Sequence, residues 1–134
     1  MARSFVTTWS RWAAVIAIML GAAAPAVDWS SPRRVDVTMN EYHFVPDHLT
    51  FQHSTVYRLH LVNEGKELHE FTAPAFFAMA TVRNPKLLVN GGQEVSVPPG
   101  GSMDFDFVAN RAGTYDLRCA DHDWAGMVGS IVVK

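Results

Sequence analysis

The sequence is poor in cysteine and has no excess of basic residues, and both shortages exclude classes of function. Cys119 is the only cysteine among 134 residues. It cannot form an internal disulfide, a CxxC redox pair, a cysteine zinc knuckle or a dinuclear copper centre bridged by two thiolates. Eleven basic residues against 13 acidic ones give a net charge of −2, so no basic surface is available for a nucleic-acid backbone. Cys119 is left as a small buried side chain, a nucleophile or a single metal ligand.

A long uncharged apolar run occurs near the N-terminus and is typical of an export signal. Arg3 and Arg11 come first, and an apolar segment then spans residues 12–27 with no charge before Asp28. This segment is shorter than the roughly 20 residues that a membrane-spanning helix needs. Its small residues at positions 22–26 suit cleavage by a signal peptidase.

These features predict that residues 1–26 are a signal peptide, cleaved after Ala26, with an uncleaved membrane anchor as the alternative. The mature chain would then be a single domain over residues 27–134 with no stable insertion in the membrane. It would be periplasmic or otherwise exported.

Alternating apolar and polar residues predict that the mature chain forms short β-strands. Every second residue is apolar in the segments 35–39, 57–61, 103–107 and 115–119. The run 128–133 is rich in β-branched residues, and Gly, Pro and Asn clusters separate the segments. We predict an all-β fold, an antiparallel Greek-key β-sandwich, with a short helix or loop inserted around residues 74–90.

One loop carries a spacing of side chains that suits a metal. Cys119 ends a predicted strand on its inward-facing side, and the loop that follows reads Cys-x2-His-x4-Met, with His122 and Met127. A thiolate, imidazoles and a weak axial thioether are the donors of a mononuclear blue-copper site. Such a site needs a second imidazole, and His69 is the best candidate because it follows the turn at Asn63–Gly65.

With these motifs the sequence resembles the cupredoxins, the small type 1 blue copper proteins that include plastocyanin and azurin. The matching motifs are Asn63-x-Gly65-x3-His69, Gly113-Thr114-Tyr115 and Gly126-Met127-x-Gly129-x-Ile131-x-Val133. The resemblance implies one mononuclear copper ion, with His69, Cys119 and His122 as equatorial ligands and Met127 as the axial ligand. It implies no catalytic residues. The chain departs from the family at Glu70, where Asn is common and can tie the two ligand loops together.

The resemblance further implies a periplasmic one-electron carrier that cycles copper between Cu(I) and Cu(II) and is not an enzyme. Transient redox partners would dock on the monomer near His122 and Trp124, and Trp124 would either shield the metal or belong to the contact surface. The alternative is a copper-binding protein for copper tolerance or delivery, in which the same ligands store or transfer the metal. The mature chain lacks the Met/His-rich tail that favours delivery, and it lacks the His-x-His pairs of multicopper oxidases.

Overall fold

A computed structural model describes residue 21 and residues 23–134. Most of the predicted signal peptide, residues 1–20 and 22, lies outside the described residues. In the part that is described, no helix is both long enough and apolar enough to cross a membrane.

The described chain forms two five-stranded sheets. The strands of the first sheet are β1 Arg33–Asn40, β2 His43–Val45, β4 Val56–Asn63, β6 Ala80–Val82 and β8 Ser102–Ala109. The strands of the second sheet are β3 His48–Phe51, β5 His69–Thr72, β7 Glu94–Val97, β9 Gly113–Arg118 and β10 Val128–Val133. The spatial orders are β2-β1-β4-β8-β6 and β3-β10-β9-β5-β7.

The predicted β-sandwich is confirmed, although two of its strand pairs are parallel. β1 runs parallel to β4, with Val37 opposite Leu61, and β3 runs parallel to β10, with Leu49 opposite Ile131. The other strand pairs among the described residues are antiparallel. The connection explains the pair of β1 and β4: after β2 the chain crosses to the second sheet, forms β3 and returns as β4 beside β1, and such a crossing permits a parallel neighbour.

The core between the sheets is rich in aromatic side chains, and the inserted segment covers part of it. Within residues 74–90 the chain forms helix α1 Pro74–Met79, then β6 and a 3-10 turn at Pro85–Leu87, as the prediction of a short helix or loop allowed. Helix α1 buries Phe76 and Phe77. The Phe76 ring lies edge-on to Phe107, with the centroids 5.2 Å apart. Burying one such side chain stabilises the fold by about 1.5–3 kcal/mol.

A carboxylate lies buried on the outer face of the first sheet, beneath two arginines. Asp106 has the outward parity of β8 yet is only 6% exposed. Arg58 lies opposite it on β4 and donates to both carboxylate oxygens, from Nε at 2.7 Å and from Nη2 at 2.9 Å. Arg83 donates to one oxygen at 3.2 Å. Hydrogen bonding to Arg58 is the largest of the effects that hold the pKa of Asp106 below its ordinary value.

Candidate metal centre

Three donor atoms converge at one end of the sandwich. The side chains of His69, Cys119 and His122 are buried, and one donor atom from each lies within 4.8 Å of the other two. The Cys119 sulfur is 3.8 Å from Nδ1 of His69 and 3.4 Å from Nδ1 of His122. Across residue 21 and residues 23–134 this is the one group of three or more such side chains that could hold a metal ion. The structure therefore brings together three of the four predicted ligands.

The loop between β9 and β10 is folded so that its two sulfur-bearing residues lie at its base. Cys119 follows the last residue of β9, and its N–H donates to the carbonyl of Met127 at 3.0 Å. The N–H of Met127 donates in turn to the carbonyl of His122 at 3.3 Å. Both Cys119 and Met127 are fully buried. These bonds place the fourth predicted ligand, Met127, in the same closed loop as the other two.

A glycine lets this loop turn back into β10. The 3-10 turn Asp123–Ala125 ends at Gly126, which has a φ of +89°, in the left-handed region that side chains disfavour. A Cβ added there would meet no atom within 4 Å. Gly126 is therefore required by backbone conformation and not by lack of space.

The loop before His69 is fixed by the side chain of Asn63. Its Oδ1 accepts the N–H of Gly65 at 2.9 Å, and its Nδ2 donates to the carbonyls of Glu67 and Val97, both at 2.8 Å. A Cβ at Gly65 would collide with the Glu41 carboxylate and lie 3.0 Å from Nε2 of His69. The Asn-x-Gly motif thus folds the loop tightly enough for His69 to face Cys119.

Glu70 lies directly beside the sulfur. Its side chain is buried, with Oε2 3.0 Å from Sγ of Cys119, and the N–H of Asp121 donates to the same oxygen at 3.4 Å. The peptide N–H of Glu70 also donates to the sulfur, at 3.4 Å. Burial, together with the Glu70 carboxylate, raises the pKa of Cys119 to about 12. Without a metal the thiol is therefore protonated and donates to Glu70.

The outer side of the site carries three residues whose roles the sequence motifs did not indicate. Glu67 Oε2 is 2.6 Å from Nε2 of His122, and Glu41 Oε1 is 3.5 Å from Nε2 of His69. The Tyr42 ring packs on His122 at a centroid distance of 4.8 Å and meets His69 edge-on at 6.4 Å. Glu41 and Tyr42 belong to the turn between β1 and β2, which has no ligand-like spacing, so no signal in the sequence pointed to them.

Trp124 is exposed and does not shield the site. It is 77% exposed, and its indole N–H donates to the carbonyl of Asp121 at 2.8 Å. Its ring lies 6.0 Å from that of Tyr42. Of the two predicted positions for Trp124, the structure shows the solvent-facing one.

The donor set fits copper. Both imidazoles turn Nδ1 towards one buried sulfur, a buried methionine closes the same loop, and the sulfur has a single proton to lose. Two nitrogens, a thiolate and a thioether are the donors typical of a type 1 copper site, and they suit copper better than the harder divalent ions. His69, Cys119 and His122 thus form a candidate metal site consistent with type 1 copper.

Comparisons with known proteins agree with this geometry. Residues 11–133 match the family of cupredoxin-like domains. Auracyanin B has a similar structure, with a TM-score of 0.60 and 23% identity over 81% of this chain and 93% of its own. A dithionite-reduced auracyanin from the photosynthetic bacterium Roseiflexus castenholzii has a TM-score of 0.58 and 17% identity, over 78% of this chain and 99% of its own. A multi-copper oxidase from Pediococcus acidilactici has a TM-score of 0.57 and 15% identity, over 75% of this chain and 25% of its own. No curated protein sequence matches the chain.

Proposed function

Because the chain belongs to the family of cupredoxin-like domains, we propose that it is an exported blue copper protein that carries single electrons between other proteins. The observation that carries the proposal is the buried convergence of His69, Cys119 and His122. A neighbour with the same fold, the auracyanin of Roseiflexus castenholzii, has a crystal structure in its dithionite-reduced form, which supports a redox role for such a site.

Four residues of the chain would supply the donor atoms that hold the metal. Copper bound by two imidazoles, a thiolate and a weak thioether supplies a one-electron couple between Cu(I) and Cu(II). His69 and His122 present their Nδ1 atoms, Cys119 presents its sulfur, and Met127 is the proposed axial donor. The hydrogen bonds of Asn63 and of the closed β9–β10 loop keep the donors in place, so little has to move when the charge of the site changes.

Burial favours electron transfer over copper delivery. His69, Cys119 and Met127 are fully buried, and His122 is 8% exposed. A protein that hands copper to an acceptor must let the acceptor's own ligands reach the ion, and burial of these side chains leaves such ligands little access. An electron needs no such access.

The same enclosure argues against an enzyme. One cavity among the described residues has a volume of about 800 Å³, and none of the three donor residues lines it. Its lining residues are Thr72, Pro74, Ala75, Asp116, Leu117, Arg118, Asp123, Trp124, Val128 and Gly129. A substrate in this cavity would not reach the sulfur or the imidazoles.

Redox partners would bind the monomer transiently over the end of the sandwich that carries Trp124. The exposed indole lies 6.0 Å from the ring of Tyr42, whose hydroxyl donates to Glu67, and Asp121 and Asp123 belong to the same loop as Trp124. A partner surface with Lys or Arg around an apolar centre fits this combination best. Brief electron-transfer encounters bury less than about 1,200 Å². Export by the predicted signal peptide, residues 1–26, would place these encounters in the periplasm or outside the cell.

The proposal is tested by loading the mature protein with Cu(II) and recording its visible absorption and paramagnetic resonance. An intense blue charge-transfer band with narrow hyperfine splitting is expected, and Cys119→Ala should abolish both. Cycles of reduction and reoxidation should leave the copper bound in the presence of a competing chelator. A colourless protein that takes up only Cu(I), or one that gives its copper to the chelator on reduction, would contradict electron carriage and favour copper delivery.

A further inference from the structure

The outer edge of His122 is held by a carboxylate and a phenol. Glu67 places Oε2 2.6 Å from Nε2 of the imidazole, and its other oxygen accepts the Tyr42 hydroxyl at 3.2 Å. The Tyr42 ring covers one face of the same imidazole at 4.8 Å, with an angle of 31° between the planes. Both carboxylate oxygens of Glu67 are thus bound within the protein, although the side chain is about half exposed and water could bind them instead.

This arrangement favours one tautomer of the His122 ring. A neutral imidazole has one N–H donor and one nitrogen with a free lone pair. An ionised carboxylate only accepts hydrogen bonds, so in a neutral ring Nε2 beside Glu67 is the nitrogen that would carry the proton. The lone pair is then on Nδ1, which lies 3.4 Å from the Cys119 sulfur. A ligand histidine in the opposite tautomer would turn its N–H towards the ion and could not bind it.

The turn between β1 and β2 also holds the backbone that carries Glu67. Glu41 Oε1 accepts the N–H of Glu67 at 3.0 Å and the N–H of Lys66 as well. The same oxygen is 3.5 Å from Nε2 of His69, beyond the usual range of a hydrogen bond. Glu41 therefore acts mainly by accepting hydrogen bonds from the loop backbone, and the close carboxylate–imidazole contact is the one between Glu67 and His122.

We propose that Glu67, oriented by Tyr42, is a positioning residue of the metal centre, and that it fixes the tautomer and the ring orientation of His122. The inference rests on the proposed function only for the identity of the metal. Carboxylates that accept the second N–H of a ligand histidine raise its basicity, and their loss typically lowers metal affinity 10- to 100-fold. Glu67 would act through His122 without touching the ion.

The first test uses the metal-free protein, so that its outcome does not depend on electron carriage. Nitrogen NMR of isotope-labelled protein reports which ring nitrogen of His122 is protonated. We expect the Nε2–H tautomer in the wild type and a mixture of both tautomers in Glu67→Ala. Glu67→Gln keeps an oxygen that can accept a hydrogen bond from Nε2–H, so it should restore the single tautomer. Tyr42→Phe should show a smaller change in the direction of Glu67→Ala.

The matched control is Glu64→Ala, which removes the same charge from the same loop at an exposed position. Competition with a chelator should show Cu(II) affinity about tenfold lower in Glu67→Ala and unchanged in Glu64→Ala. A Glu67→Ala protein with the wild-type tautomer overturns the proposal. A Glu67→Gln protein that folds but shows mixed tautomers overturns the hydrogen-bond basis of the proposal, because the charge of the carboxylate and not its acceptor oxygen would then fix the tautomer. A wild-type protein that shows the predicted tautomers but never turns blue would refute the proposed function and leave this inference standing.

Discussion

Oε2 of Glu70 lies 3.0 Å from the sulfur of Cys119, and both side chains are buried. Cupredoxins commonly have an asparagine at this position, and its amide can donate a hydrogen bond. A carboxylate can donate only when it is protonated. The thiol instead donates to Glu70 in the metal-free protein, and a metal that takes the sulfur has to displace that proton.

Replacing Glu70 by Gln should lower the pKa of Cys119 in the metal-free protein. Burial and the Glu70 carboxylate together raise it from 9.0 to about 12, and burial is the larger cause. Glu70→Gln removes the smaller one, so the pKa should fall but stay above 9.0. Ultraviolet absorbance of the thiolate, followed against pH, measures it, with Glu64→Gln as the control. An unchanged pKa would show that Glu70 does not interact with the sulfur in solution.

Gly126 can be tested against a second glycine with the same backbone conformation. Gly126 and Gly92 have φ values of +89° and +84°, and a Cβ would meet no atom within 4 Å at either position. Alanine at each should therefore cost about 1–2 kcal/mol of unfolding free energy through backbone strain alone. Only Gly126→Ala should also weaken copper binding or change the blue band, because Gly126 belongs to the ligand loop. Equal spectra in the two variants would argue against a tight coupling between this turn and the metal.

Met127→Leu should leave copper bound and raise the reduction potential. A weak axial donor stabilises the more highly charged Cu(II) more than Cu(I), so its loss favours the reduced form, while the three equatorial ligands keep the ion. Leucine has a similar volume, so the packing cost should stay below about 1.5 kcal/mol. Protein-film voltammetry and copper analysis check both parts. Complete loss of copper would show that Met127 is more than a weak axial ligand.

Asp106 should make the fold sensitive to acid. The folded-state pKa of its carboxyl is lowered, chiefly by Arg58, from the ordinary value of 3.8. The stabilisation is therefore fully present above about pH 4 and is lost as the pH falls through the lowered value. Asp106→Asn should lower the free energy of unfolding by about 1.5–3 kcal/mol at neutral pH, the usual contribution of a hydrogen bond to a charged group. This difference in unfolding free energy between the variant and the wild type should become smaller in acid.

Chemical denaturation at several pH values measures this difference. The matched control is Asp36→Asn, which breaks an ion pair with Arg34 in which both side chains are more than half exposed. Such surface pairs contribute about 0–1 kcal/mol. A pH-independent cost for Asp106→Asn, or an equal cost for Asp36→Asn, would contradict the assigned role.

The sequence predicted the β-sandwich because alternation within a strand is a local property. Tyr57, Leu59 and Leu61 lie inside, as their parity required. It could not predict that Asp106, with outward parity, is buried, since the covering guanidinium comes from a strand 48 residues away. Nor could alternation distinguish parallel from antiparallel neighbours, because it shows only which side of a strand faces the core.

The residues of the candidate site are likewise of two kinds, those that local sequence spacing predicts and those that depend on strand pairing. Cys119, His122 and Met127 lie within nine residues, so their spacing in the sequence limits their separation in space. Glu41 and Tyr42 reach the site because β1 and β4 are parallel and end at the same edge, with Met39 opposite Asn63. That register brings the β1–β2 turn against the loop that carries Glu67. These contacts depend on a strand pairing that no local pattern encodes.

The position of Trp124 gives the protein an optical reporter at the proposed docking surface. Residues 27–134 contain two tryptophans, Trp29 and Trp124, and Trp29 is partly buried. The indole of Trp124 faces solvent, so its fluorescence is expected at long wavelength. Its ring lies 6.0 Å from that of Tyr42, which packs on His122 at 4.8 Å, so a copper ion held by His122 should quench the emission. A partner that covers this end of the sandwich would shift the Trp124 emission to shorter wavelength. Binding could therefore be followed by the fluorescence of the unlabelled protein.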